Sequence, residues 1–235
     1  MCYNNTMSDD KVKFDCIGVA VDIVIFNIID NRLKVLLIKR APKPENVWAI
    51  PGGFVRRGES LLTTAKRELD EETGVKDVYL EQLYTFGNPE RDPRTRVVSV
   101  AYFALVNSEK LDIKTGSDAK DAAWRDIDEI PKLAFDHNKI LDYSRQRLIW
   151  KLEYTNVAYS LLPRLFTLTE LQRVYEAVVD RKLDKRNFRR KLLKTGLVKE
   201  TTMTRPGAHR PAILHEFTSN KAEYISNPFG AFLKK

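Results

Sequence analysis

The sequence predicts an α/β domain followed by a smaller, basic domain made of two helices and a hairpin. Three observations carry this. Runs rich in Val and Ile alternate with helical periods from residue 16 to about residue 153. The charge is unevenly spread: residues 1–150 hold 23 Lys+Arg against 24 Asp+Glu (net −1), and residues 151–235 hold 17 against 8 (net +9), which together make the chain's +8. After Pro163, the run Thr167-x-x-Glu170 is a helix-opening capping box, and two short helical patterns and two strand-like runs follow it. A length of 235 residues suits one large or two modest domains.

Taken in order, residues 1–13 are polar and read as loosely ordered; Asp9 and Asp10 argue against a signal peptide. The run CIGVAVDIVIFNII, residues 16–29, contains Asp22 and is too short to span a bilayer, so it reads as buried strand. Asp30-Asn31 lies between IVIFNII and LKVLLI, which predicts a β-hairpin. Prolines and glycines make 41–58 a loop with a short strand around Trp48–Ile50. Residues 60–73 read as a helix, with Ser60 as N-cap, apolar Leu61, Leu62, Ala65 and Leu69 at helical spacing, and Gly74 as the stop. The strand-like runs VYLEQLYTF, RVVSVAYFALV and AAWRD come next, then a helix over about 137–153. In the basic part Leu171, Val174, Tyr175 and Val178 form one apolar stripe. Arg181–Leu183 is a turn, Asp184 caps the helix KRNFRRKLLKTG, and LVKET and AILHEF are strands separated by TMTRPGAHRP. Two cysteines exclude a disulfide framework or a cysteine-rich zinc site, and suit a reducing cytoplasm.

Four carboxylates crowd the stretch RELDEETG at 67–74. On a helix Glu68, Glu71 and Glu72 fall at i, i+3 and i+4, on one face of a single turn, where like charges repel. Such a set suits a hard divalent cation, Mg²⁺ or Mn²⁺, which would bind phosphate and acidify a water. The Pro-Gly-Gly at 51–53 lets backbone approach the same place. A solvated acidic face is the plainer alternative.

The wider spacing narrows the choice. Gly53, five residues, Glu59, seven residues, Arg67-Glu68-Leu69, one residue, Glu71-Glu72, one residue and Gly74-Val75 resemble the Nudix box of the Nudix hydrolases. The resemblance implies an α/β/α sandwich with a mixed sheet, a metal-binding loop–helix–loop, and hydrolysis of nucleoside diphosphates linked to another group. It makes Glu71 and Glu72 metal ligands, Glu68 a ligand or the general base, and the backbone at Gly53 a further contact; Arg67 and Glu59 would brace loop against helix. Pro89, about fifteen residues past Gly74, is similar to the mark of Nudix enzymes acting on ADP-ribose. Arg91, Arg94 and Arg96 follow it. Arg40, Arg67, Pro89 and Arg94 are the candidate substrate contacts, with Trp48 a weaker one. Asp118 and Asp121 are weak candidates for a further acidic catalytic group.

In the helix after Asp184, Phe188 and Leu192 face one way while basic residues face the other. Helix, turn, helix and basic hairpin in that order predict a winged helix-turn-helix, with Lys185, Arg186, Arg189 and Arg190 at the major groove and Arg205, His209 and Arg210 on the wing. The whole order, with NPERDPRTRVVSVAY, LAFDHNKIL and HRPAILHEF, resembles the Nudix-related transcriptional regulators of NAD metabolism. That resemblance implies a homodimer that binds operator DNA, with ADP-ribose or a related metabolite as effector. Relatives of this architecture that answer to sugars such as arabinose keep a sugar effector open. The expectation is a cytoplasmic protein with a Nudix domain at 14–154 and a winged helix at 155–235, binding Mg²⁺ (or Mn²⁺), ADP-ribose and double-stranded DNA, with no membrane partner. Its box is intact, so ADP-ribose pyrophosphatase activity is expected beside regulation. The alternatives are an enzyme whose basic domain only dimerises, and a non-catalytic sugar-responsive regulator.

Overall fold

The computed structural model describes residues 16–40, 46–107, 119–206 and 211–225. Residues 1–15, Asp118, His209 and Arg210 lie outside them, with the readings placed there. Strand β1 (Gly18–Ile29) turns into β2 (Arg32–Arg40) through Asp30 and Asn31, both at positive φ (53° and 60°). This is the geometry a two-residue hairpin turn demands, and Asp and Asn tolerate it better than other side chains. Short strands β3 (Trp48–Ala49) and β4 (Gly52–Phe54) precede helix α1 (Leu61–Thr73). Ser60 Oγ accepts from Thr63 N at one end of α1, and Gly74 at φ 70° ends it at the other. Strands β5 (Tyr79–Phe86), β6 (Val97–Leu105) and β7 (Ala119–Asp126) and helix α2 (His137–Tyr154) complete this part.

The sheet runs β3-β2-β1-β6-β5, with β4 paired to β1 and β7 to β2. Only β1 and β6 pair in parallel, so the sheet is mixed. Alternation along β1 builds the two layers. Val21, Ile23 and Ile25 pack with Ala65 and Leu69 of α1, while Val24 and Phe26 join the cluster containing Ile140, Leu141, Leu148 and Leu152 of α2. The result is the expected α/β/α sandwich.

Helix α3 (Leu168–Val179), helix α4 (Lys185–Thr195) and the hairpin β8 (Val198–Arg205) and β9 (Ala212–Phe217) form the winged helix. Thr167 and Glu170 make both bonds of the capping box, and Asp184 Oδ1 accepts from Asn187 N to cap α4. Two details differ from the sequence reading. Strand β4 went unseen because glycines weaken a strand pattern, yet pairing with β1 holds Gly52 and Gly53 extended. Strand β8 runs on through Arg205, past a register shift between Glu200 and Thr204, where a loop is expected.

The apolar cluster beneath α2 continues through Val157 and Ala158 into Leu171, Val174, Tyr175, Val178, Phe188 and Leu192. A short 3₁₀ helix (Val157–Leu161) joins the two parts without a Gly/Ser linker. Among the described residues no helix is long and apolar enough to cross a membrane.

Candidate functional site

Helix α1 and strand β4 bring the box together. Arg67 is its electrostatic centre. Its Nε and Nη2 donate to the two oxygens of Glu59 (2.7 and 2.9 Å), its Nη1 to Glu68 Oε1 (2.7 Å) and Glu71 Oε2 (3.1 Å), and its Nη2 also to the Phe54 carbonyl (3.2 Å). Arg56 reaches the same Glu71 oxygen at 3.3 Å. Glu72 Oε2 accepts from Gly52 N at 2.7 Å. Guanidinium groups and one backbone amide therefore offset the crowding of carboxylates on α1.

This modifies the expected cradle. The three glutamates share a turn, but Glu68 and Glu72 are buried while Glu71 stays half exposed. Among the described residues no group of three or more His, Cys, Asp or Glu is arranged to hold an ion. The donor chemistry nevertheless fits Mg²⁺ or Mn²⁺, because carboxylates and the backbone at Gly52–Gly53 are hard oxygen ligands lining one cleft. Burial, the largest cause, raises the Glu68 pKa against the pull of Arg67.

Glu59 is held the other way. Arg67 first, with Thr64 and the Arg56 amide, lowers its pKa from 4.5 to about 2. A carboxylate depressed in the folded state stabilises it above its unfolded pKa, and that contribution fades as pH falls from about 4.5 through about 2. Glu59→Gln should flatten the pH dependence of unfolding in that window, as read by urea titrations across it.

The cleft, of about 390 Å³, faces this acidic wall with Arg40, Arg91, Asp92, Arg94, Phe135 and His137. The Arg40 and Arg94 guanidiniums lie 4.9 and 4.8 Å from the Phe135 ring centre. Asp92 grips Arg94 at both oxygens, 2.9 and 2.7 Å. Burial, and then Arg94, lower the Arg40 pKa.

Two candidate contacts fall elsewhere. Pro89 is exposed, on the turn that feeds Arg91 and Asp92 into the cleft wall, and is not part of that wall. Arg67 is committed to its carboxylates and does not line the cleft. Trp48 packs under Arg125, ring centre to guanidinium 4.7 Å, and Asp121 lies exposed on β7.

The sequence reading missed a buried network that forms part of the cleft wall. Arg91 donates to Asp22 Oδ2 (3.0 Å) and to both oxygens of Asp136, the N-cap residue of α2 (2.8 and 3.2 Å). Ser99 Oγ also donates to Asp22. Ile50 N donates to His137 Nδ1 (3.2 Å), so the His137 proton sits on Nε2, which faces Asp22 Oδ1 at 3.5 Å. Burial lowers the His137 pKa and favours this neutral form. One signal was in the sequence: Asp22 interrupts an otherwise apolar strand.

At the other end Phe188 and Leu192 turn inward from α4, and Lys185, Arg186 and Arg190 are exposed. Arg189 is half buried and donates to Thr169 Oγ1 at 3.1 Å. Arg205 donates to Glu170 Oε1 at 2.5 Å.

Fold and site together define a Nudix sandwich joined through a continuous core to a winged helix. The family pattern described as "NUDIX domain" matches residues 18–144, and "NrtR DNA-binding winged helix domain" matches residues 158–217. The chain belongs to the Nudix family, in the group that carries an NrtR-type winged helix. It is 40% identical over 203 residues to the ADPR responsive transcriptional repressor NtrR of Acinetobacter baylyi, covering 84% of this chain and 81% of that one. It is 43% identical over 136 residues to the ADP-ribose pyrophosphatase of Methanocaldococcus jannaschii, covering 57% and 75%. The crystal structure of Shewanella oneidensis NrtR complexed with a 27mer DNA superposes with a TM-score of 0.75 at 36% identity, covering 85% of this chain and 93% of that one.

Proposed function

We propose that this protein is an ADP-ribose-responsive transcriptional regulator that binds operator DNA as a homodimer and retains Mg²⁺-dependent ADP-ribose hydrolysis. One observation carries the reading: a single cleft sets the box carboxylates opposite Arg40 and Arg94, and it belongs to the part of the molecule whose core runs into the winged helix.

A diphosphate needs cationic partners on both sides. Arg40 and Arg94, both against the Phe135 ring, supply one side. Glu71, Glu72 and the Gly53 backbone would hold the cation on the other. When bound, Mg²⁺ neutralises diphosphate charge and acidifies the attacking water. Glu68 would serve as a further ligand or as the general base that accepts that water's proton. Water adds to one phosphorus, the bridging P–O bond breaks, and AMP and ribose 5-phosphate leave. Lys185, Arg186 and Arg190 would meet operator phosphates and base edges.

The test is AMP release from ADP-ribose with Mg²⁺, comparing wild type with Glu71→Gln. Release by the wild type, falling about hundredfold or more in the variant, is the expected result. No release, with a melting temperature raised by ADP-ribose, would remove the hydrolase half and keep the sensor. Neither release nor a shift with ADP-ribose, but a shift with a pentose, would overturn the effector assignment.

A further inference from the structure

The residues that present the winged helix to a duplex are not all free to touch it. Phe166 pairs with His215 of β9 through two backbone bonds, Phe166 N to His215 O (3.0 Å) and His215 N to Phe166 O (2.7 Å). This is an isolated bridge on the side of β9 away from β8, beside a two-stranded sheet. Arg205, at the end of β8, spans that sheet. Its Nη1 donates to Glu170 Oε1 (2.5 Å) and its Nη2 to the Leu165 carbonyl (3.3 Å). Glu170 is already the capping-box residue of α3, its other oxygen accepting from Thr167 N (2.7 Å) and Thr167 Oγ1 (3.1 Å). In the next position along, Thr169 Oγ1 accepts from Arg189 of α4. Residues 165–170 therefore hold the wing by one arginine and the recognition helix by another.

We propose that Arg205 is a positioning residue, which with Glu170 locks the wing at a fixed angle to α4, and that it neutralises no DNA phosphate. A duplex is engaged by helix and wing at once, so their relative placement must be set before binding. Arginine suits the task, because its planar fork reaches a carboxylate and a carbonyl together, which a lysine ammonium does less well. The inference rests on DNA binding by the winged helix, and the experiment separates the two.

The test is the salt dependence of affinity of the full chain for a duplex that it selects from a random-sequence pool. Removing a side chain that neutralises one phosphate lowers the slope of log K against log salt by about 0.9. Arg186→Ala, which takes away an exposed cation of α4, should show that decrease. Arg205→Gln and Glu170→Gln should each weaken binding about two- to fivefold with the slope unchanged, and the double variant should be no weaker than either. Glutamine keeps the capping box, so Glu170→Gln should remain folded. Arg205→Lys should behave like Arg205→Gln. A slope lower by about 0.9 in Arg205→Gln, its rescue by lysine, and an inert Glu170→Gln would together overturn the proposal in favour of direct phosphate binding. A wild type that selects no duplex would overturn the DNA-binding reading, and this one with it.

Discussion

Arg91→Ala should destabilise the protein by about 3–5 kcal/mol, the usual loss when one partner of a buried ion pair is removed. Arg91 is 6% exposed and Asp22 7%. Without the guanidinium, Asp22 keeps the Ser99 hydroxyl and the His137 ring but has no full positive charge against it. Asp136 loses both of its bonds to Arg91, and with them the tie between the start of α2 and the 87–96 loop. The effect should appear in urea unfolding as a lower midpoint with an unchanged m value. Asp22→Asn in the same background should recover part of the loss, because it removes the buried charge that the first substitution strands. Equal stability of Arg91→Ala and wild type would mean that water solvates Asp22, and that the network holds nothing.

The neighbouring glycines should answer alanine in opposite ways. A Cβ on Gly52 would lie 2.3 Å from the Val21 carbonyl oxygen and 2.9 Å from Asp22 Cα, and backbone cannot step aside without parting β4 from β1. Gly52→Ala should cost about 1–3 kcal/mol or more, the range for overpacking a tight site, and it strikes the strand that carries the network above. A Cβ on Gly53 would lie 2.1 Å from Glu68 Oε1, the far end of a side chain that can swing away. Gly53→Ala should melt close to the wild type. AMP release should nevertheless fall about hundredfold, since displacing a reacting group by an ångström has that scale of effect. Melting temperature and turnover measured on both variants decide it. Similar losses of stability would show that Glu68 is as rigidly held as the backbone.

Much of this architecture is legible in the sequence. Helix α1 begins at Ser60 and stops at Gly74, and α3 opens with Thr167 and Glu170, because capping is decided by a handful of adjacent side chains. The turn at Asp30-Asn31 was legible for the same local reason. The sandwich was legible through periodicity and through the resemblance of the box. Less so was β4, whose glycines have no strand propensity and which exists because β1 offers it a pairing edge.

The residue types at the site are written in the chain itself: a crowded acidic turn, a Gly-Gly approach, arginines after the box, and a basic capped helix. How those charges are balanced is settled in three dimensions. Arg67 and Arg56 face the glutamates, Arg40 and Arg94 share Phe135 across the cleft, Arg91 is buried among Asp22 and Asp136, and Arg205 turns back to Glu170. The physical reason is range. Caps, turns and amphipathic stripes are set by neighbours a few residues apart. Arg67 meets Glu68 and Glu71 on its own helix, but a buried charge pairs with whatever the folded sheet and helices bring within a few ångströms of it, 45 residues away for Arg91 and Asp136 and 69 for Asp22 and Arg91.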